Sequence, residues 1–125
     1  MEENALGDLV LGAALKVHKA LGPGLLERTY EACLEHELLK LGIDCQRQVY
    51  LPLVYDGLLI EPGYRLDLLV ANLVVVEVKT VETILPVHRA QLLSYLKLGG
   101  YRLGYLLNFN VPLMRNGIHR FANGL

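Results

Sequence analysis

Two apolar stretches of this 125-residue chain are interrupted by ionisable groups. Val74-Val75-Val76 has the pattern of a strand buried on both faces, yet it runs straight into Glu77-Val78-Lys79. Alternation along a strand puts Glu77 and Lys79 on one face at its end. Upstream, Asp67 breaks the run Leu66-Asp67-Leu68-Leu69-Val70. Buried charges need partners. If the two segments form a hairpin, a two-residue loop at Ala71-Asn72 pairs Val70 with Leu73 and sends Asp67 and Glu77 to opposite faces. A loop one residue longer, or a bulge, sets the two acids directly opposite each other, and hydrolytic chemistry requires that second register. Facing carboxylates repel, so a purely structural sheet gains nothing from them. A divalent cation reverses the sign of the interaction. Oxygen ligands favour Mg²⁺ or Mn²⁺ over zinc, and Mg²⁺ keeps several waters, one of which can serve as nucleophile. Lys79 would hold or deprotonate that water, or stabilise charge growing on a phosphate. The plain alternative for Glu77-x-Lys79 is a same-face ion pair at a strand end.

Two helical segments supply further candidates. Gly24, Glu27 and Tyr30 recur at three-residue spacing, which puts Glu27 on or beside the face that carries Tyr30 towards the sheet. Glu27 is a candidate third carboxylate, although an acid in the first turn of a helix is also favoured simply by the helix dipole. Gln91 and Tyr95 sit four apart on another helix face, able to hydrogen-bond a water or a phosphate, or else to form an amphipathic rim over the sheet. His18, His88 and His119 have no metal-ligand spacing, and His18 reads as a structural or supporting histidine. No Gly-rich loop follows a strand, and Ser94 lacks the turn that exposes a nucleophilic serine.

The elements that must position these groups follow from periodicity. Leu6, Leu9, Val10, Ala13, Ala14, Val17 and Leu21 recur at three and four, which predicts an amphipathic helix over Leu6–Leu21, stopped by Gly22-Pro23-Gly24. A second helix is expected from about Leu25 to Leu41, burying Leu26, Tyr30, Cys33, Leu34, Leu38 and Leu41. The period then changes. Val49–Leu51, Leu53–Tyr55, Leu58–Ile60, Leu66–Val70 and Leu73–Val78 are short, branched or aromatic, and are punctuated by Asp56-Gly57, Pro62-Gly63 and Ala71-Asn72; they read as three strands in a meander. Pro86 opens a third helix to about Leu98, Arg102–Phe109 is a further strand, and Gly117–Phe121 a short edge strand. The order ααβββαβ(β), with its last main strand joined through a crossover helix, predicts an α/β fold: a mixed central sheet of four to five strands flanked by helices.

Composition sets the bounds. The length suits one domain over residues 1–125, and 53% hydrophobic with 20% charged residues is enough for a core and wrong for a disordered chain. No apolar run approaches the roughly 20 residues that cross a bilayer, and the acidic start differs from a secretory signal, so a cytoplasmic protein with reduced Cys33 and Cys45 is expected. The net charge of −1 hides a segregation: all 13 acids lie in residues 1–82, while residues 83–125 carry Arg89, Lys97, Arg102, Arg115 and Arg120 and no acid. Such a basic third is either a solvated edge or a contact for an anionic partner.

The ordered series resembles the GxxExxY protein family of the PD-(D/E)XK, or restriction-endonuclease-like, nuclease superfamily. The resemblance is carried by residues 17–31 (VHKALGPGLLERTYE), by Tyr64-Arg65-Leu66-Asp67-Leu68-Leu69-Val70 with Val76-Glu77-Val78-Lys79, by Ala90-Gln91-Leu92-Leu93-Ser94-Tyr95-Leu96, and by Leu107-Asn108-Phe109-Asn110. It implies that Asp67 and Glu77, with Glu27 and the Val78 carbonyl, bind Mg²⁺ or Mn²⁺, that Lys79 is the catalytic lysine, and that Gln91 with Tyr95 matches a QxxxY element. The proline of the superfamily's name is not adjacent to Asp67. The implied activity is metal-dependent hydrolysis of DNA or RNA, with Arg89, Lys97, Arg115 and Arg120 as phosphate contacts and a homodimer or larger complex as a natural way to enlarge a small binding surface. The alternatives are a binding or scaffold module that retains the fold without turnover, or hydrolysis of a small phosphate ester.

Overall fold

The computed structural model describes residues 1–125. Helix α1 (Glu3–Leu21) and helix α2 (Glu27–Lys40) come first. Strands β1 (Cys45–Tyr55), β2 (Leu58–Val70) and β3 (Val74–Lys79) follow, then helix α3 (Pro86–Gly99), strand β4 (Leu103–Asn108), a short 3₁₀ turn (Met114–Gly117) and strand β5 (Ile118–Ala122). The sheet is mixed and five-stranded in the order β1-β2-β3-β4-β5, antiparallel throughout except for β3–β4, which are parallel and joined through α3.

Each face of the sheet has its own core. Leu6, Val10, Ala14 and Val17 of α1 and Tyr30, Leu34 and Leu38 of α2 bury against Leu68, Val70, Val74, Val76 and Val78. On the other face Leu92 and Leu96 of α3 cover Leu66, Leu69, Val75 and Leu106. Strand β3 is therefore buried on both sides, as its unbroken valines require. The α1 helix comes so close to the sheet that a side chain at Gly7 would collide with the Tyr105 hydroxyl.

Two details of the elements differ from expectation. Helix α2 starts at Glu27 because Leu26 is extended (φ −71°, ψ 146°), and Leu26 and Leu41, both outside the helix, are exposed, while Glu31 takes a buried place in the apolar face. Strand β1 begins at Cys45, four residues before the apolar segment at Val49, because pairing with Leu68–Val70 recruits the polar Gln46-Arg47-Gln48. The β1–β2 hairpin turns at Asp56-Gly57, both at positive φ (49° and 77°), the conformation a two-residue hairpin loop favours. Its outer half leaves Tyr50, Val54, Tyr55, Leu58 and Leu59 exposed.

The β2–β3 register settles the hairpin question. Leu68 pairs with Val76, Leu69 with Val75 and Val70 with Val74, so the loop is Ala71-Asn72-Leu73, one residue longer than the tightest alternative. Ala71 and Asn72 both take left-handed φ (51° and 57°) to close it. Continued by one step, this register sets Asp67 opposite Glu77.

Candidate active site

The regular ladder between β2 and β3 stops at Leu68–Val76, and beyond it the two acids replace the backbone. The Asp67 amide donates to Glu77 Oε2 (2.9 Å), and the Val78 amide donates to Asp67 Oδ2 (2.9 Å). Each carboxylate thus satisfies the amide a ladder carbonyl would otherwise have taken, and the pair sits where the strands part. An extended residue's N–H and C=O point to the same side, so the Val78 carbonyl also faces Asp67 and has no ladder partner on β2.

A change of face in the chain delivers Asp67 to this place. Leu68 and Val70 belong to the core under α1 and α2, whereas Leu66 belongs with Leu69 to the core under α3. Residues two apart should share a face, so the alternation breaks at Asp67. Strand β1 breaks opposite it: Cys45 faces the first core, Val49 packs against the second, and Gln48 between them is at φ 54°. The ladder skips this one position, from Arg47–Leu68 to Val49–Leu66.

The electrostatics show the cost of the arrangement. Asp67 and Glu77 are 4% and 2% exposed. Burial, reinforced by the charge of Asp67, pushes the Glu77 carboxyl up to about 8. Burial also raises Asp67, against the opposing effect of the Val78 amide and of the Arg65 and Lys79 charges. Arg65 Nη2 lies 3.0 Å from Asp67 Oδ1, while no cationic side chain pairs with Glu77. Lys79, half-buried at the end of β3, is near enough to favour the ionised form of both acids.

The other expected groups fall around this pair. Glu27, first residue of α2, accepts the Thr80 amide (3.0 Å) just past Lys79, so it reaches the end of β3 from the helix layer. Tyr95 of α3 feels the charges of Glu77 and Asp67 and is raised, chiefly by burial; it stacks with Tyr64 at 5.1 Å between centroids. Gln91, one turn before Tyr95, is exposed. The Gly24, Glu27 and Tyr30 spacing has a mechanical explanation. The Tyr30 hydroxyl donates to the Gly22 carbonyl (2.6 Å) and accepts the Leu25 amide (3.2 Å), pinning the loop that launches Glu27, while its ring stacks on Phe109 at 4.3 Å. Asn108 likewise clamps the segment after Lys79, donating to the Val81 carbonyl and accepting the Val81 and Asn110 amides. His18 is structural, with Nε2 2.8 Å from the Val111 carbonyl, and His88 Nδ1 accepts the Leu85 amide at the start of α3.

Of the residues lining the cleft that Asp67 borders, sequence reasoning singled out only Glu27 and Asp67. An open cavity of about 760 Å³ is lined by Glu27, Arg28 and Glu31 of α2, Arg47 and Gln48 of β1, Arg65 and Asp67 of β2, and Thr80. Glu31, 4% exposed, accepts Gln48 Nε2 (2.7 Å) and lies 3.7 Å from Arg47 Nε; burial raises its carboxyl despite the Gln48 hydrogen bond. Its one signal in the sequence is its place four residues after Glu27. None of Arg89, Lys97, Arg115 and Arg120 lines this cleft. Arg89 lies over the Phe121 ring and 3.3 Å from His119, Arg120 donates to Asn4, and Lys97 and Arg115 are exposed elsewhere. The basic third of the sequence is thus dispersed, and the arginines nearest the acids come from the acidic two thirds.

No three His, Cys, Asp or Glu side chains converge as a ready metal cage. The donor set still suits a hard cation that retains water: two buried carboxylates, one without an ionic partner, and a backbone carbonyl facing them. No helix is long and apolar enough to cross a membrane.

Neither a curated protein nor a solved structure matches the chain. A family model does, across residues 4–121, and with the ααβββαβ order and the acidic pair at the parting strands it establishes that this chain belongs to the PD-(D/E)XK nuclease superfamily.

Proposed function

We propose that this protein is a Mg²⁺- or Mn²⁺-dependent nuclease that hydrolyses a phosphodiester bond of DNA or RNA, with the GxxExxY family as its place within the superfamily. The observation that carries the reading is the Asp67–Glu77 pair, buried at the point where β2 and β3 separate, with only Asp67 held by an ion pair. A sheet held together by packing alone gains nothing from two desolvated acids side by side.

Asp67, Glu77 and the Val78 carbonyl would hold the cation. When bound, it supplies a water of lowered pKa and a positive centre for the phosphoryl oxygens. Glu27 fixes the Thr80 amide and so holds the chain just beyond Lys79, and its carboxylate would complete the acidic cluster around a bound cation. Lys79 orients the attacking water, or takes its proton, and offsets charge developing on the phosphate. Tyr95, placed near Glu77 with Gln91 one turn away, donates a hydrogen bond to water or phosphate. Asn108 and Tyr30 hold the two segments that present Lys79 and Glu27.

The test is direct. Purified protein with Mg²⁺ or Mn²⁺ is offered single-stranded, duplex and branched DNA and RNA, together with mononucleotide and dinucleotide esters. At least one polymer should be cut, and Glu77→Ala and Lys79→Ala should each slow cutting by orders of magnitude with the fold intact. A panel left whole would reassign the chain to a binding module built on the same fold.

A further inference from the structure

We propose that Arg65, with Arg47 and Arg28, forms the track that holds the phosphate backbone, and that Arg65 is the resident counterion of Asp67 until a divalent cation displaces it towards the substrate. The proposal rests on the nuclease reading and adds the route by which the strand enters.

Arg65 Nη2 is 3.0 Å from Asp67 Oδ1, and no other cationic side chain forms an ion pair with either acid. A guanidinium on Oδ1 occupies a position a cation needs, and two positive centres sharing one carboxylate repel. Arg65 is free to leave, because its side chain is 46% exposed at the cleft wall. Inside the same cleft Glu31 is buried and held by Gln48, and its charge acts on both Arg65 and Arg47. A displaced Arg65 therefore stays near the cleft. Arg47 stands in the same cleft: its Nε lies 3.7 Å from Glu31 Oε1, beyond hydrogen-bond distance, while its Nη2 donates to the Arg28 carbonyl (3.2 Å). Phosphate oxygens match the guanidinium fork, so the arginines lining this one cleft, Arg28, Arg47 and Arg65, offer a set of donors suited to a phosphate backbone.

The charges explain the order of events. Without a cation the cleft balances three acids, Glu27, Glu31 and Asp67, against Arg28, Arg47 and Arg65, so it has little pull on a polyanion. With a cation at Asp67 and Glu77 and Arg65 released, the same cleft becomes positive. Backbone binding is thus coupled to cation loading, and the dispersed C-terminal cations are not its source.

The probes are Mn²⁺ alone, followed by electron paramagnetic resonance, and a fluorescein-labelled single-stranded oligonucleotide in Ca²⁺, followed by anisotropy across a salt series. Arg65→Gln should bind Mn²⁺ more tightly than the natural chain, since the competing guanidinium is gone. The same variant should bind the oligonucleotide about fivefold more weakly at 0.1 M salt, with the log–log salt slope reduced by about 0.7, the loss of one contact to a single strand. Arg47→Gln should lose a similar slope without the gain in Mn²⁺ affinity, and Arg65→Lys should restore the slope. A purely structural role for Arg65 would weaken both kinds of binding. The proposal is overturned if Arg65→Gln binds Mn²⁺ no more tightly, if its salt slope matches the natural chain's, or if the slope instead follows Arg89, Lys97, Arg115 and Arg120. A natural chain that cuts nucleic acid while Arg65→Gln keeps its slope removes the track alone; one that neither binds nor cuts any polymer removes the nuclease reading as well.

Discussion

Replacing Glu77 by glutamine tests the central pair through stability, with no substrate required. The Glu77 carboxyl is pushed up to about 8 by burial and by the neighbouring Asp67, whereas in the unfolded chain it titrates near its ordinary 4.5. Between those values the folded state holds a proton the unfolded state has released. Stability therefore falls as pH rises across that window, by about 1.4 kcal/mol for each pH unit. The full contribution is present below pH 4.5 and is lost by about pH 8, a total of about 5 kcal/mol. Glutamine presents a neutral oxygen to the Asp67 amide and does not ionise. In the presence of EDTA, Glu77→Gln should thus melt close to the natural protein at pH 4.5 and on the order of 10 °C above it at pH 8.5. Mg²⁺ should raise the melting temperature of the natural protein at pH 8.5, since a ligand that binds only the folded state stabilises it, and should barely move Glu77→Gln. Differential scanning fluorimetry across pH, with and without the cation, reads all of these. Parallel pH profiles for the two proteins in EDTA would refute the claim that Glu77 is a strained carboxylate; a natural protein indifferent to Mg²⁺ would refute its purpose.

Asn108→Ala removes three hydrogen bonds that hold the chain after Lys79; a loss of about 2–3 kcal/mol in urea unfolding is expected, with cleavage falling further than stability alone accounts for. Tyr30→Phe keeps the stack on Phe109 but frees the Gly22–Leu25 loop. It should cost about 1–2 kcal/mol and raise amide exchange at Leu25. Lys79→Ala should leave Mn²⁺ binding within a fewfold of the natural protein while abolishing turnover, a separation visible by pairing metal titration with single-turnover cleavage.

Much of this molecule is decided by local physics, and that part was legible in its residues. Periods of three and four marked the helices, Gly22-Pro23-Gly24 the end of the first, and unbroken valines the doubly covered β3. Asp67, Glu77 and Lys79 stood out because a charge in an apolar run is anomalous whatever the fold. Tertiary structure alone decided what meets what. The two hairpin registers differ by one residue, and the longer loop became possible because Ala71 and Asn72 accept left-handed backbone angles, a choice no apolar pattern encodes. The face change shared by Gln48 and Asp67 lies across two strands and has no period of its own. Glu31, Arg47 and Arg65 read as ordinary surface charges until α2, β1 and β2 close around one cavity. The segregated basic third was visible in the sequence, but none of Arg89, Lys97, Arg115 and Arg120 lines the cleft beside Asp67: net charge is a sum along the chain, while a cleft's charge depends on which groups share it.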